Sequence, residues 1–361
     1  MRVPLPAAPT ASPFGTLPDG RTVAAYRLTN PLGMAVTVLT YGGILQTIEV
    51  PDRRGEVRNV ALGFGRLDDY VERSPYFGAI IGRVANRIAD GRFDLDGVTY
   101  AVPVNDPPSS VHGGTHGFHT KVWAAHPSAD ASGASLRLTY VSLDGDEGFP
   151  GTLHTEVTYH LAADSNTLGF AYRATTDRTT VVNLTNHSYL NLAGEGSGSV
   201  LDHEVQIWAD HYLPLRPDLI PTGELAPVAG TPMDFTTPHR LGERIRCGFA
   251  QLVVARGYDH NYALDRPAGS EGRLVRAARL HEPGSGRCVE VWTTEPGIDF
   301  YSGNFLDGTL VGTGGRAYRQ GDGLAIETEH FSNSPNTPHF PSIVLRPGEV
   351  YRSATEFRFS P

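Results

Sequence analysis

A period of two dominates this chain and constrains its fold more than any other feature. From Thr152 to Leu161, the residues Leu153, Thr155, Val157, Tyr159 and Leu161 share one face. Thr152, His154, Glu156, Thr158 and His160 share the other. Such alternation marks a half-buried strand, because successive side chains of a strand point to opposite sides. The same reading fits Val36–Tyr41, Ser135–Val141, Leu168–Thr175, Val289–Thr294, Phe300–Gly303, Ile343–Leu345 and Ala354–Phe359. Turn-forming pairs fall between such runs: Pro51-Asp52, Asp96-Gly97, Asp144-Gly145, Asp307-Gly308 and Pro347-Gly348. Helical windows are few, and Leu67–Arg73 is a short one. Strands do not alternate with amphipathic helices, which disfavours a doubly wound sheet. The expected class is all-β, a large antiparallel β-sandwich holding its ligand on a concave sheet face. A chain of 361 residues is long enough for two domains. No Pro/Ser/Gly linker divides it, however, since Gly194–Gly198 is short. Residues 1–361 are therefore expected to form a single domain.

Charge and cysteine usage remove several functions. The net charge is −9 with no basic run, so nucleic acid is not an expected partner. No apolar run of about 20 residues exists to span a bilayer, and no signal-peptide core opens the chain. A cytoplasmic location is the expectation. The two cysteines, Cys247 and Cys288, cannot make a disulfide scaffold. Lys121 is the one lysine in the sequence, so Schiff-base chemistry has a single candidate nucleophile.

Five segments carry unusual polar content. In Val182–Leu192, which reads as a buried strand, His187 sits among apolar residues and asparagines. An imidazole in an apolar strand is ordinarily a hydrogen-bonded core group, yet it also exchanges protons near neutrality. In Leu324–His330, period two puts Ala325, Glu327 and Glu329 on one face. His187 and Glu327 are thus a candidate pair for general acid–base work, which needs two proton-transfer groups on one substrate. His112 precedes Gly113-Gly114, where the backbone can turn sharply and a ligand can come close. His112, His116 and His119 invite a metal reading, but the spacing fits no zinc pattern and no carboxylate completes the set. No metal and no cofactor are expected. Asn86-Arg87 and Asp259-His260-Asn261 offer planar donors and acceptors that suit neighbouring hydroxyls.

Taken together and in order, these segments resemble the aldose 1-epimerase (galactose mutarotase) family. The resemblance rests on Gly82–Ala89, Asn105 with Val111–Phe118, Asn183–Leu192, Gly257–Tyr262, Thr294–Leu306 and Ile326–Phe331. It implies the family's β-sandwich and metal-free interconversion of the α- and β-anomers of free hexoses such as galactose and glucose. It implies that Glu327 is the base at the C1 hydroxyl and His187 the acid at the ring oxygen. Asn86, Arg87, His112 and Asp259 would bind and orient hydroxyls. Family members often carry glutamine where Glu295 and Glu329 stand, and the first of these positions is expected near the sugar. The partner is then a small free aldose, and the protein a monomer or homodimer. The rival readings are a hexose-6-phosphate 1-epimerase, which would want Arg83 or Arg316 at the rim, a non-catalytic carbohydrate-binding sandwich, and a metal-dependent isomerase. Two further expectations concern protons. The Glu327 charge should raise the pKa of His187, and Glu329 should influence the pair only slightly.

Overall fold

The computed structural model describes residues 7–361. Its largest layer is a nine-stranded antiparallel sheet. In spatial order the strands are Ala124–Asp130, Gly133–Ser142, Leu153–Ala162, Thr167–Thr176, Tyr351–Ser360, Cys288–Thr293, Val275–His281, Glu204–Ile207 and His239–Arg240. A six-stranded sheet follows the order Tyr189–Leu190, Leu324–Glu329, Gly297–Tyr301, Asp259–Ala263, His211–Tyr212, Ala226–Pro227. A five-stranded sheet is built from the strands between Ala11 and Asn59. One apolar core joins all three: Val36 and Leu45 from the five-stranded sheet, Leu138, Val157 and Phe357 from the nine-stranded, and Ile298, Phe300 and Ile326 from the six-stranded. This is the antiparallel β-sandwich the alternation predicts.

The period-two reading holds in detail. Leu153, Thr155, Val157, Tyr159 and Leu161 are buried, while the residues between them are exposed or half-buried. Leu67–Arg73 is a helix, with Leu67 and Tyr70 buried and Asp68 and Asp69 in its first turn. Acidic side chains there complement the positive end of the helix. Among the described residues no helix is long and apolar enough to cross a membrane. Cys247 is exposed, Cys288 is buried, and both are free.

Val182–Leu192 departs from expectation. It is not one strand but a run of short pieces pairing with different partners. Thr185–Asn186 pairs with Ile80–Ile81, and Tyr189–Leu190 with Leu324–Ala325. The asparagines explain the break. Asn183 Nδ2 donates to the His330 carbonyl at 3.1 Å, Asn186 Nδ2 to the Gly78 carbonyl at 2.8 Å, and Asn191 Nδ2 to the Gly198 carbonyl at 2.7 Å. Side-chain bonds to backbone replace a continuous ladder. The segment is thereby tied to three neighbouring loops, and His187 sits at its centre.

Candidate active site

Two strands of the six-stranded sheet supply carboxylates to one place. Asp299 and Glu327 are direct partners across the Gly297–Tyr301/Leu324–Glu329 pair. Glu329 lies on the same face as Glu327, two residues on. Asp259 opens the adjoining strand, opposite Tyr301. His187 is brought over this face by backbone bonds on both sides: its N–H donates to the Ala79 carbonyl at 2.9 Å, and its carbonyl accepts from Gly78 N–H at 2.8 Å. As a result His187 Nε2 stands 3.3 Å from Glu327 Oε1, with both side chains buried.

A cavity of about 420 Å³ opens onto this pair. That is at the small end of ligand pockets, which run from about 300 to 1,000 Å³. Its walls hold Asn86, Arg87, His112, His187, Asp259 and Glu327, together with Tyr76 and Asp299. Six of the seven residues singled out from the sequence are thus gathered in one cavity. Glu295 is the exception. It is 2% exposed and lies outside the cavity wall, where its Oε2 meets His330 Nδ1 at 2.6 Å and its Oε1 accepts from Tyr351 at 3.4 Å. The acidic group that does reach the wall is Asp299, on the Gly297–Tyr301 strand that follows. Sequence reasoning missed it, although the period that exposed Glu327 also puts Asp299 on the inward face of its own strand. Tyr76 was missed too. Its ring stacks on His187 with centroids 5.7 Å apart and meets His112 edge-on at 4.6 Å.

His112 and Asn86 are locked together. His112 N–H donates to the Asn86 carbonyl at 3.1 Å, and Asn86 N–H donates to His112 Nδ1 at 3.2 Å. Both residues adopt positive φ, 53° and 60°. Because Nδ1 accepts, the proton of the neutral ring is on Nε2, and His112 is a donor through that nitrogen. The neighbouring glycine serves backbone packing rather than ligand approach. A Cβ at Gly113 would meet the Gly82 carbonyl oxygen at 2.0 Å, with φ +84°.

Charges in the cavity are unbalanced. Arg87 Nε binds Asp106 at 3.0 Å, and its Nη1 lies 3.8 Å from Asp259. Burial works against the Arg87 charge, but Asp259 and Asp106 hold its pKa above the ordinary value. Asp299 and Glu327 have no cation of their own. Burial, reinforced by Asp259, pushes Asp299 up to about 8. Burial and the adjacent Glu329 and Asp299 push Glu327 well above the usual carboxylate range. Burial takes His187 the other way, down to about 3. The expectation that the carboxylate raises His187 is therefore reversed. In this dry setting burial favours the neutral form of each partner.

The convergent potential metal ligands among the described residues are His112, His187 and Glu327, not His112, His116 and His119. His116 is exposed and outside the cavity. The three convergent groups do not suit a metal. A ligating imidazole gives its other N–H to an acceptor, whereas His112 Nδ1 faces a donor, the Asn86 N–H. Arg83, which a phosphate reading would place at the rim, is 2% exposed and spends its guanidinium on Ser142, Leu143 and Pro150. Arg316 lines a separate cleft with Gly196 and Asp322.

Comparison with known proteins fits this arrangement. The family model described as aldose 1-epimerase matches residues 24–358. A galactose mutarotase of Sus scrofa is 46% identical over 352 residues, covering 97% of this chain and 98% of that protein. An aldose 1-epimerase of Escherichia coli is 39% identical over 344 residues, covering 95% and 96%. Among solved structures, a galactose 1-epimerase from Lactobacillus acidophilus superposes with a TM-score of 0.85 at 27% identity, covering 98% of each chain. With its sandwich, its paired His187 and Glu327 and a match along nearly its whole length, the chain belongs to the aldose 1-epimerase family.

Proposed function

We propose that this protein is a mutarotase of free hexoses, galactose or glucose, working by acid–base opening and closing of the sugar ring. The observation that carries the reading is the contact of His187 with Glu327 on the floor of a hexose-sized cavity. Ring opening requires one group to take the C1 hydroxyl proton and another to protonate the ring oxygen. Glu327 is the base and His187 the acid. Rotation about C1–C2 then presents the other face of the aldehyde, and the same residues run in reverse. The pair holds one proton throughout the cycle in its active form. A C1 hydroxyl donating to Glu327 favours the carboxylate, and a ring oxygen accepting from His187 favours the imidazolium. Sugar binding thus draws the proton from Glu327 to His187. Arg87, His112 Nε2 and Asp259 offer donors and an acceptor for the remaining hydroxyls.

The free-sugar reading is supported against hexose phosphates by charge. One arginine faces Asp106, Asp259, Asp299 and Glu327 in the cavity wall, which gives a dianion no favourable seat. A binding module would need Arg87, His112 and Asp259 but not the buried proton-transfer pair. The one-domain, cytoplasmic, monomeric or dimeric protein expected from the sequence goes with this reading. Polarimetry of freshly dissolved α-D-galactose and α-D-glucose tests it. Optical rotation should relax at a rate proportional to enzyme concentration. A rate no faster than that of buffer would refute the proposal, and a higher kcat/KM for glucose 6-phosphate than for glucose would redirect it.

A further inference from the structure

Glu329 is fully buried and does not line the cavity. Its Oε1 accepts from Asn86 Nδ2 and from Asn261 Nδ2, each at 3.0 Å. Its Oε2 has no partner and is shielded from solvent. Asn86 Nδ2 also donates to Asp299 Oδ2, so one amide serves two carboxyls. Asp299 Oδ1 and Glu327 Oε2 are likewise buried without a partner. The groups around Glu329 are Glu327 on its own strand, Asp299 on the Gly297–Tyr301 strand, and Asn261 and Asp259 on the next. Asn86 and Arg87 approach from the facing loop, and Glu295 with His330 from the strand ends. Arg87 is the cation among the first of these, and it is engaged by Asp106 and Asp259. Glu327, Glu329, Asp299 and Asp259 beside one occupied guanidinium cannot all be ionised. An unpaired buried charge costs far more than an unpaired buried hydroxyl.

We propose that Glu329 carries a proton on Oε2 in the resting protein and acts as a positioning residue, and that its ionisation ends catalysis on the alkaline side. As a neutral acid it accepts through Oε1 from both asparagines and adds no charge beside Glu327. It thereby holds Asn86, whose backbone N–H fixes the tautomer of His112. Once ionised, it is a second anion on the same strand face. That anion keeps the shared proton on Glu327 and removes the base that ring opening needs. Burial and the neighbouring Asp299 raise Glu329 well above the usual range, in line with a neutral acid. This inference rests on the mutarotase reading for its catalytic part but not for the position of the proton.

The test has two arms. Infrared difference spectroscopy between Glu329→Gln and the unaltered protein at pH 7 reads protonation without any substrate. A carboxylic-acid carbonyl band present in the unaltered protein and lost in E329Q supports the proposal. An unchanged band intensity overturns it. Asp299 and Glu327 are raised in the same way, so the Glu329 band is read only as the difference between the two proteins, and circular dichroism of E329Q at pH 7 should match the unaltered protein. The second arm is the pH profile of kcat. Gln has the shape and donor–acceptor pattern of the neutral acid and cannot ionise. The alkaline limb of E329Q should therefore move upward by about one pH unit, the scale of a close charge interaction. A limb that stays in place while kcat falls at every pH would mark Glu329 as merely structural. If the unaltered protein shows no mutarotation, the function fails while the infrared result still stands.

Discussion

The chemistry turns on single protons held by single residues. Glu327→Gln and His187→Asn should each lower kcat by about 10²–10⁴-fold, the worth of a positioned proton-transfer group. Circular dichroism of both variants should match the unaltered protein, since each replacement keeps a polar, hydrogen-bonding side chain and removes the titrating function. Near-normal turnover in either would displace that role. The pH dependence on the acid side follows from the burial of His187. Activity requires one proton on the pair. A second proton enters through His187, whose pKa is lowered to about 3 by burial. kcat/KM should stay flat between about pH 5 and 7, where an unperturbed imidazole of about 6.5 would already be titrating. Because kcat/KM reports the free enzyme, an acid limb centred near about 6.5 would show that burial does not lower His187. His112 adds a third case. With Nδ1 occupied by the Asn86 N–H, it has no role as a metal ligand, and incubation with a chelator should leave the rate unchanged. Activity lost on chelation and restored by a divalent ion would contradict that assignment.

Elements differ in how plainly the sequence announced them. The long strands of the nine-stranded sheet were legible because one face is buried and the other solvated, so hydrophobic period and geometry coincide. Leu153–Ala162 and Tyr351–Ser360 are cases of this. The six-stranded sheet was harder. Every residue of Leu324–Glu329 is buried, so its period survives only in the spacing of Glu327 and Glu329. Val182–Leu192 misled because apolar content suggested a strand while the asparagines redirected the backbone. The Glu295 position misled for a related reason: it sits just ahead of the Gly297–Tyr301 strand and turns toward His330 and Tyr351, while Asp299 two residues into that strand reaches the cavity. Loop geometry was legible as glycine but not as cause. Gly113 accommodates the Gly82 carbonyl, so Gly113→Ala should lower the melting temperature. The expected loss is about 1–3 kcal/mol from the strained φ alone, with a further term from the clash. It should also lower kcat by moving His112 against Asn86. An unchanged melting curve would mean that the loop relaxes freely and that its position does not matter to the site.

For the molecule as a whole, the site is a stability liability with a definite pH signature. Asp299 is held at about 8 in the folded protein, by burial first and Asp259 second, against an unfolded value of about 3.9. Between those values the folded state binds more protons than the unfolded one. Stability from this group is therefore fully present below about pH 4 and is lost as pH rises toward 8. Glu327 and Glu329, raised in the same direction, add to the slope. The buried histidines oppose it. His187 and His260 are both lowered to about 3 by burial, so their contribution grows as pH rises from about 3 to 6.5. Above about pH 6.5 the histidines have finished titrating, and the carboxyls alone set the trend. The substrate-free protein should lose melting temperature between pH 7 and 9. Asp299→Asn removes one of the groups responsible while keeping an oxygen for Asn86. The difference in melting temperature, variant minus unaltered protein, should become more positive from pH 5 to pH 8. If that difference is flat across the range, Asp299 is already ionised when folded, and the excess negative charge of the cavity must be relieved at Glu327 and Glu329 instead.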